Sequence, residues 1–182
     1  MRRGGWPLPA VVLLAGAGCG ASASGVAEGQ APFVAFGASF DGFETWPSST
    51  TDGPVNDGSV HVSGVRTVYI NQLPPSGATA FPRGTLIVKV SVADQKIFAR
   101  AKRGAGYNPS GAVDWEWFEL QESATNEVTI VWRGVGPPAG EMYGGDPTGG
   151  CNSCHALAVN NDYVLAPWLS LGALEASDAG QD

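Results

Sequence analysis

Residues 85–103 read TLIVKVSVADQKIFARAKR: two runs, 85–92 and 96–103, rich in β-branched or apolar side chains and joined by three residues. In TLIVKVSV a period of two sets Ile87, Lys89 and Ser91 on one face and Leu86, Val88 and Val90 on the other. GVRTVYIN (64–71), DWEWFELQ (114–121) and EVTIVWR (127–133) have the same character, each bounded by Gly, Pro, Asn or Asp. Five strands on short connections imply an antiparallel sheet. RGAGYNPSGAVD (103–114) is a long hairpin loop, and FDGFETW (40–46) spaces Phe40, Phe43 and Trp46 three apart, which predicts a short helix with one apolar side. The expected fold is mainly β (α+β): an antiparallel sheet of about five strands with a few short helices.

After the last strand comes GGCNSCHALA (149–158), which gathers two of the chain's three cysteines and one of its two histidines into five positions. On a helix, Cys151 and Cys154 stand at i and i+3 and His155 at i+4, so all three project from one face. A structural zinc site would need a second Cys or His pair, which the sequence lacks. The spacing suits covalent haem: two thiolates add to the porphyrin vinyl groups while the adjacent imidazole supplies the axial ligand to iron. A redox dithiol or a disulfide between Cys151 and Cys154 is the competing reading, although no thioredoxin-like βαβ pattern surrounds the motif and a loop this short is a poor staple.

The N-terminus bears on the compartment. MRRGGWPLPAVVLLAGAGCGASAS opens with Arg2 and Arg3, continues through an apolar run and ends in small residues, the layout of a bacterial export signal and too short to span a bilayer. Residues 1–18 are therefore expected to be a signal peptide and Cys19 a lipid-bearing N-terminal cysteine, with cleavage after Ala23 as the alternative that gives a free periplasmic protein. Residues 19–37 are small and polar and read as a flexible tether, leaving 38–182 as one domain, long enough to bury a core. The formal charge is −7, and loss of Arg2 and Arg3 with the leader makes it −9. An acidic balance of this kind argues against nucleic acid and against an anionic membrane surface. It leaves small molecules and a basic periplasmic redox partner as expected partners, with the membrane reached only through the lipid on Cys19. A homodimer is compatible with the sequence but not required by it.

RTVYIN (66–71), FPRGTLIVKV (81–90), CNSCH (151–155) and NDYVL (161–165), in this order and spacing, resemble the cytochrome P-460 family and its relatives, the β-sheet cytochromes c′. The resemblance runs from about Phe40 to Leu171. It implies a β-sheet cytochrome with one haem c per chain and a five-coordinate iron held by His155. In the P-460 type it further implies hydroxylamine oxidation and a lysine cross-linked to the porphyrin edge.

The resemblance carries three candidate catalytic positions. Lys89 matches the cross-linking lysine; the residues alone also allow a solvated lysine on an outer face. Burial beside a porphyrin would favour the neutral amine that can attack carbon. Arg66 matches the distal side, where a guanidinium can hydrogen-bond an iron-bound oxide or hydroxylamine, against the plainer reading of an exposed arginine at a strand start. Phe98 stands where the hydroxylamine-oxidising members carry a carboxylate, and a phenyl ring can exclude water and crowd a ligand but cannot accept a proton. Glu116 or Asp94 would supply the carboxylate if the register shifts by a residue or two. Asp162 and Tyr163 also match, as residues that fix the segment after the haem helix.

The expected function is a periplasmic monohaem cytochrome with an open iron site that binds or oxidises a small nitrogen compound, nitric oxide or hydroxylamine. The alternative is an electron-transfer cytochrome with a closed sixth position, for which Met142 and His61 are the available ligands.

Overall fold

A computed structural model describes Met1 and residues 31–52, 64–92, 96–139 and 150–178. The signal peptide, Cys19, His61, Asp94 and Met142 lie outside the described residues. One sheet of six strands follows chain order: β1 Ser48–Thr51, β2 Arg66–Ile70, β3 Leu86–Ser91, β4 Lys96–Lys102, β5 Trp115–Glu122 and β6 Val128–Gly134. Every neighbouring pair is antiparallel. The five expected strands are present to within two residues at each end. β1, the additional one, is SSTT: it has no apolar face and lies at the edge, its Thr50 hydroxyl 2.9 Å from that of Thr67. Short polar strands at an edge are common because they discourage pairing with another chain.

Each face of the sheet is covered by one end of the chain. On one side Phe40 and Phe43 close over Leu86, Val88, Phe118 and Leu120, with Ala35 also buried. Phe40 and Phe118 meet edge to face at 5.3 Å, an arrangement aromatic pairs prefer. The expected helix over 40–46 is instead a single 3₁₀ turn, Phe43–Thr45, preceded by another at Gly37–Ser39. Gly42 between them has φ +67°, a left-handed conformation that interrupts a right-handed helix. The expected tether up to residue 37 also ends earlier, since Phe33 N–H donates to Arg103 O at 2.9 Å and Ala35 is in the core.

The opposite face carries Ile70, Ile87, Trp115 and Trp117, and the chain from residue 150 onward packs on it through Val164, Leu169 and Leu171. That segment contains α1, Cys151–His155, then a 3₁₀ stretch Ala156–Asn161, a second 3₁₀ turn Pro167–Leu169 and α2, Leu171–Asp178. The alternation read in TLIVKVSV holds: Leu86 and Val88 enter the first core and Ile87 the second.

Candidate functional site

Antiparallel register turns scattered sequence positions into rows. Val68 pairs with Lys89, Lys89 with Phe98, Phe98 with Glu119 and Glu119 with Trp132. Directly paired residues share a face, so these five side chains form one row across β2 to β6. The next row, two residues along each strand and so about 7 Å away, is Ile70, Ile87, Arg100 and Trp117. Arg66 and its partner Ser91 lie on the other side of the Lys89 row, on the same face. A register shift between Glu119 and Leu120 leaves Val131 as an extra residue, a bulge of the kind that re-aims a side chain, and Trp132 donates its indole N–H to Glu119 Oε2 at 3.0 Å.

This is the face on which α1 sits. The His155 ring lies 4.5 Å from the Trp117 ring, and Cys151 packs against the same core. Asn152, between the cysteines in sequence, fastens the helix to the sheet. Its Oδ1 accepts from Trp117 Nε1 at 3.0 Å, Asn108 Nδ2 at 2.8 Å and Ala112 N–H at 3.1 Å, and its Nδ2 donates to Val135 O at 2.8 Å. A Cβ at Gly111 would overlap the Asn152 amide, so any larger residue there would have to push this side chain out of its hydrogen bonds. Asp162 fixes the segment that follows: it adopts a left-handed φ of +49°, and its carboxylate accepts from Lys102 Nζ at 2.6 Å and Phe81 N–H at 2.9 Å. Its carbonyl accepts from Trp115 Nε1 at 2.8 Å.

His155 Nδ1 lies 2.7 Å from the Tyr163 carbonyl. Arg100 Nη1 lies 3.0 Å from that nitrogen and 2.7 Å from the same carbonyl. With Nδ1 protonated and donating to Tyr163 O, the Nε2 lone pair is available to a metal, the usual way an outer partner selects the ligating tautomer.

The three candidate catalytic residues are gathered on one face. Lys89 is half-buried, its Nζ 5.3 Å from the centroid of the Phe98 ring. Arg66 is buried, 8% exposed, and is not a solvated strand-end arginine. The alternative carboxylate Glu116 projects from the other face: buried at 2% exposure, it is gripped by Arg133 through Nε and Nη2, both at 2.7 Å, and by Arg103 at 3.2 Å. Glu119 is the carboxylate directly across from Phe98, paired with Lys96 as well as Trp132. The sequence did carry a signal for it, because alternation in DWEWFELQ groups Trp115, Trp117 and Glu119 against Glu116, Phe118 and Leu120.

The donor set suits a tethered flat group. Two thiols and an imidazole come from one short helix, beside a face bearing Phe98, Trp115, Trp117 and Trp132. Cys151 and Cys154 would hold haem c and His155 would ligate its iron. Among the described residues, no three His, Cys, Asp or Glu side chains cluster to hold a bare ion, and no helix is long and apolar enough to cross a membrane. No protein-family model, curated protein or solved structure matches this chain.

Proposed function

We propose that this chain is an exported periplasmic monohaem c-type cytochrome of the P-460 type, with an open iron position that binds or oxidises a small nitrogen compound such as nitric oxide or hydroxylamine. The observation that carries the reading is the seating of the CNSCH helix on the same sheet face as Lys89, Phe98, Glu119 and Arg66. The haem, when bound, supplies an iron centre that takes up the small ligand and exchanges electrons.

The chain's own residues divide the remaining work. Cys151 and Cys154 would anchor the group through thioethers, and His155 would ligate its iron through Nε2 with Tyr163 O as the acceptor for an Nδ1 proton. Lys89, against the Phe98 ring, would supply the nitrogen for a bond to the macrocycle, a step that exchanges a C–H and an N–H bond for a C–N bond and passes two electrons to an added oxidant such as peroxide. Phe98 excludes water, and Arg66 offers hydrogen bonds to a bound oxygen or nitrogen. Glu119 provides what Phe98 lacks, a carboxylate that can accept a proton, and Lys96, the more exposed member of its ion pair, links it toward solvent. The presence of Glu119 on this face favours oxidation over binding alone. Export and a lipid on Cys19 belong to the same proposal, with a basic periplasmic protein as the electron acceptor.

The test is the optical spectrum of the ferrous protein with and without carbon monoxide. A ligand-induced shift reports an open iron site, and a strongly red-shifted Soret band reports the Lys89 bond. A spectrum indifferent to carbon monoxide would instead support the electron carrier with a sixth ligand from Met142 or His61.

A further inference from the structure

Arg100 is a cation with very little water around it. It lies in the middle of β4 at 5% exposure, its guanidinium carbon 5.0 Å from the Trp115 ring centroid and 5.9 Å from that of Trp117. Its guanidinium keeps its charge, as arginine does in proteins. A buried guanidinium needs strong acceptors. Its Nη1 lies 2.7 Å from Tyr163 O and 3.0 Å from His155 Nδ1, and in the tautomer with Nδ1 protonated the guanidinium and the imidazole share that one carbonyl as acceptor.

That sharing has a chemical consequence. An acceptor on the outer nitrogen of a ligating histidine draws its proton and makes the ring a stronger donor to the metal; a carboxylate does so more than a carbonyl. A carbonyl that already accepts from a guanidinium has less electron density to offer. In addition, Arg100 brings a buried positive charge against the His155 ring, while Lys102 is paired with the Asp162 carboxylate. An excess positive charge in a low-dielectric site opposes the more positive, oxidised state of a nearby metal.

We propose that Arg100 is a positioning residue that weakens His155 as an iron donor and thereby raises the reduction potential of the centre. The inference rests on the haem reading. Both effects act in the same direction, toward the ferrous state that an oxidase of a small nitrogen compound must reach when it withdraws an electron.

The experiment is a one-electron redox titration of the haem-loaded protein, with the ferrous iron–histidine stretch read by resonance Raman. Arg100→Gln should shift the midpoint to lower potential and the stretch to higher frequency. Arg100→Lys, which keeps the charge but loses the planar fork, should recover at least half of the potential shift. Asp162→Asn, which removes the opposing charge, should shift the midpoint the other way. An unchanged or raised midpoint in Arg100→Gln, or identical midpoints in the Gln and Lys variants, would overturn the assignment. If the Gln variant does not accumulate with haem, a midpoint in Asp162→Asn that is unchanged or lower than that of the wild type overturns it as well. A wild type with no covalent haem has no couple to titrate and fails the haem reading itself, whereas haem present with no shift fails only Arg100.

Discussion

Lys89 faces Phe98 directly across the β3–β4 pair, its ammonium nitrogen 5.3 Å from the ring centroid. Its half-buried nitrogen is thereby held on the face that carries the CNSCH helix, where a porphyrin edge would lie within its reach. Lys89→Arg keeps a cation but one that effectively never deprotonates. Peptide mapping of the wild type should recover the Lys89 peptide joined through haem to the Cys151–His155 peptide, and the variant should retain only the thioether links. Two separate peptides in the wild type would refute the lysine bond.

Glu119 and Glu116 lie three residues apart and face opposite cores, so equivalent substitutions should have different effects. Glu119→Gln should lower hydroxylamine oxidation about 10²- to 10⁴-fold, the usual contribution of a positioned base, with nitric oxide binding retained. Glu116→Gln should leave turnover near wild type and destabilise the fold by about 3 kcal/mol, since it leaves Arg103 and Arg133 without their shared carboxylate. Steady-state kinetics beside urea denaturation separates the two. Equal losses of activity would mean that the register assigned to β5 is wrong.

Asn152 joins α1 to β5 and the 103–114 loop through one side-chain amide. Asn152→Ala should cost about 2–4 kcal/mol by leaving Trp117 Nε1 and the Asn108 amide short of partners, and Gly111→Ala should mimic it by overlap. Chemical denaturation measures both. An Asn152→Ala variant as stable as wild type would show that the helix is held by packing alone.

Glu122, at the end of β5, is pushed up to about 7 by burial and by the hydrogen-bonded, like-charged Glu44. A carboxyl whose folded pKa is raised holds its proton more tightly in the native state. Its contribution to stability is full below the unfolded value of 4.5 and is lost as pH rises through about 7. The urea midpoint should therefore fall over that interval, and Glu122→Gln should flatten the fall. The same slope in both proteins would assign it to other groups.

The sheet was legible because β-branched and aromatic runs alternate between breakers, as in TLIVKVSV and DWEWFELQ. Ser48–Thr51 escaped because an edge strand with no apolar face has no periodic signal. The CNSCH helix was legible from spacing within one turn. Alternation in DWEWFELQ assigned Glu119 to its face, but the roles of Glu119, Arg100 and Asn152 were not legible, for a common reason: they arise from contacts across 13 to 63 residues. Strand alternation assigns a side chain to a face but does not say what it will meet there. The register between β4 and β5 passes through the long 103–114 loop, so the sequence offered Glu116 or Asp94 as the carboxylate only under a shifted register, whereas the paired strands bring Glu119 opposite Phe98.

The central claim, that Cys151 and Cys154 carry haem covalently, is tested most directly by the intact mass of the denatured protein made in cells that mature c-type cytochromes. The wild type should retain the mass of one haem after acid–acetone extraction, and Cys151→Ala with Cys154→Ala should appear at the mass of the polypeptide alone. A wild type that extracts to the polypeptide mass would contradict the account.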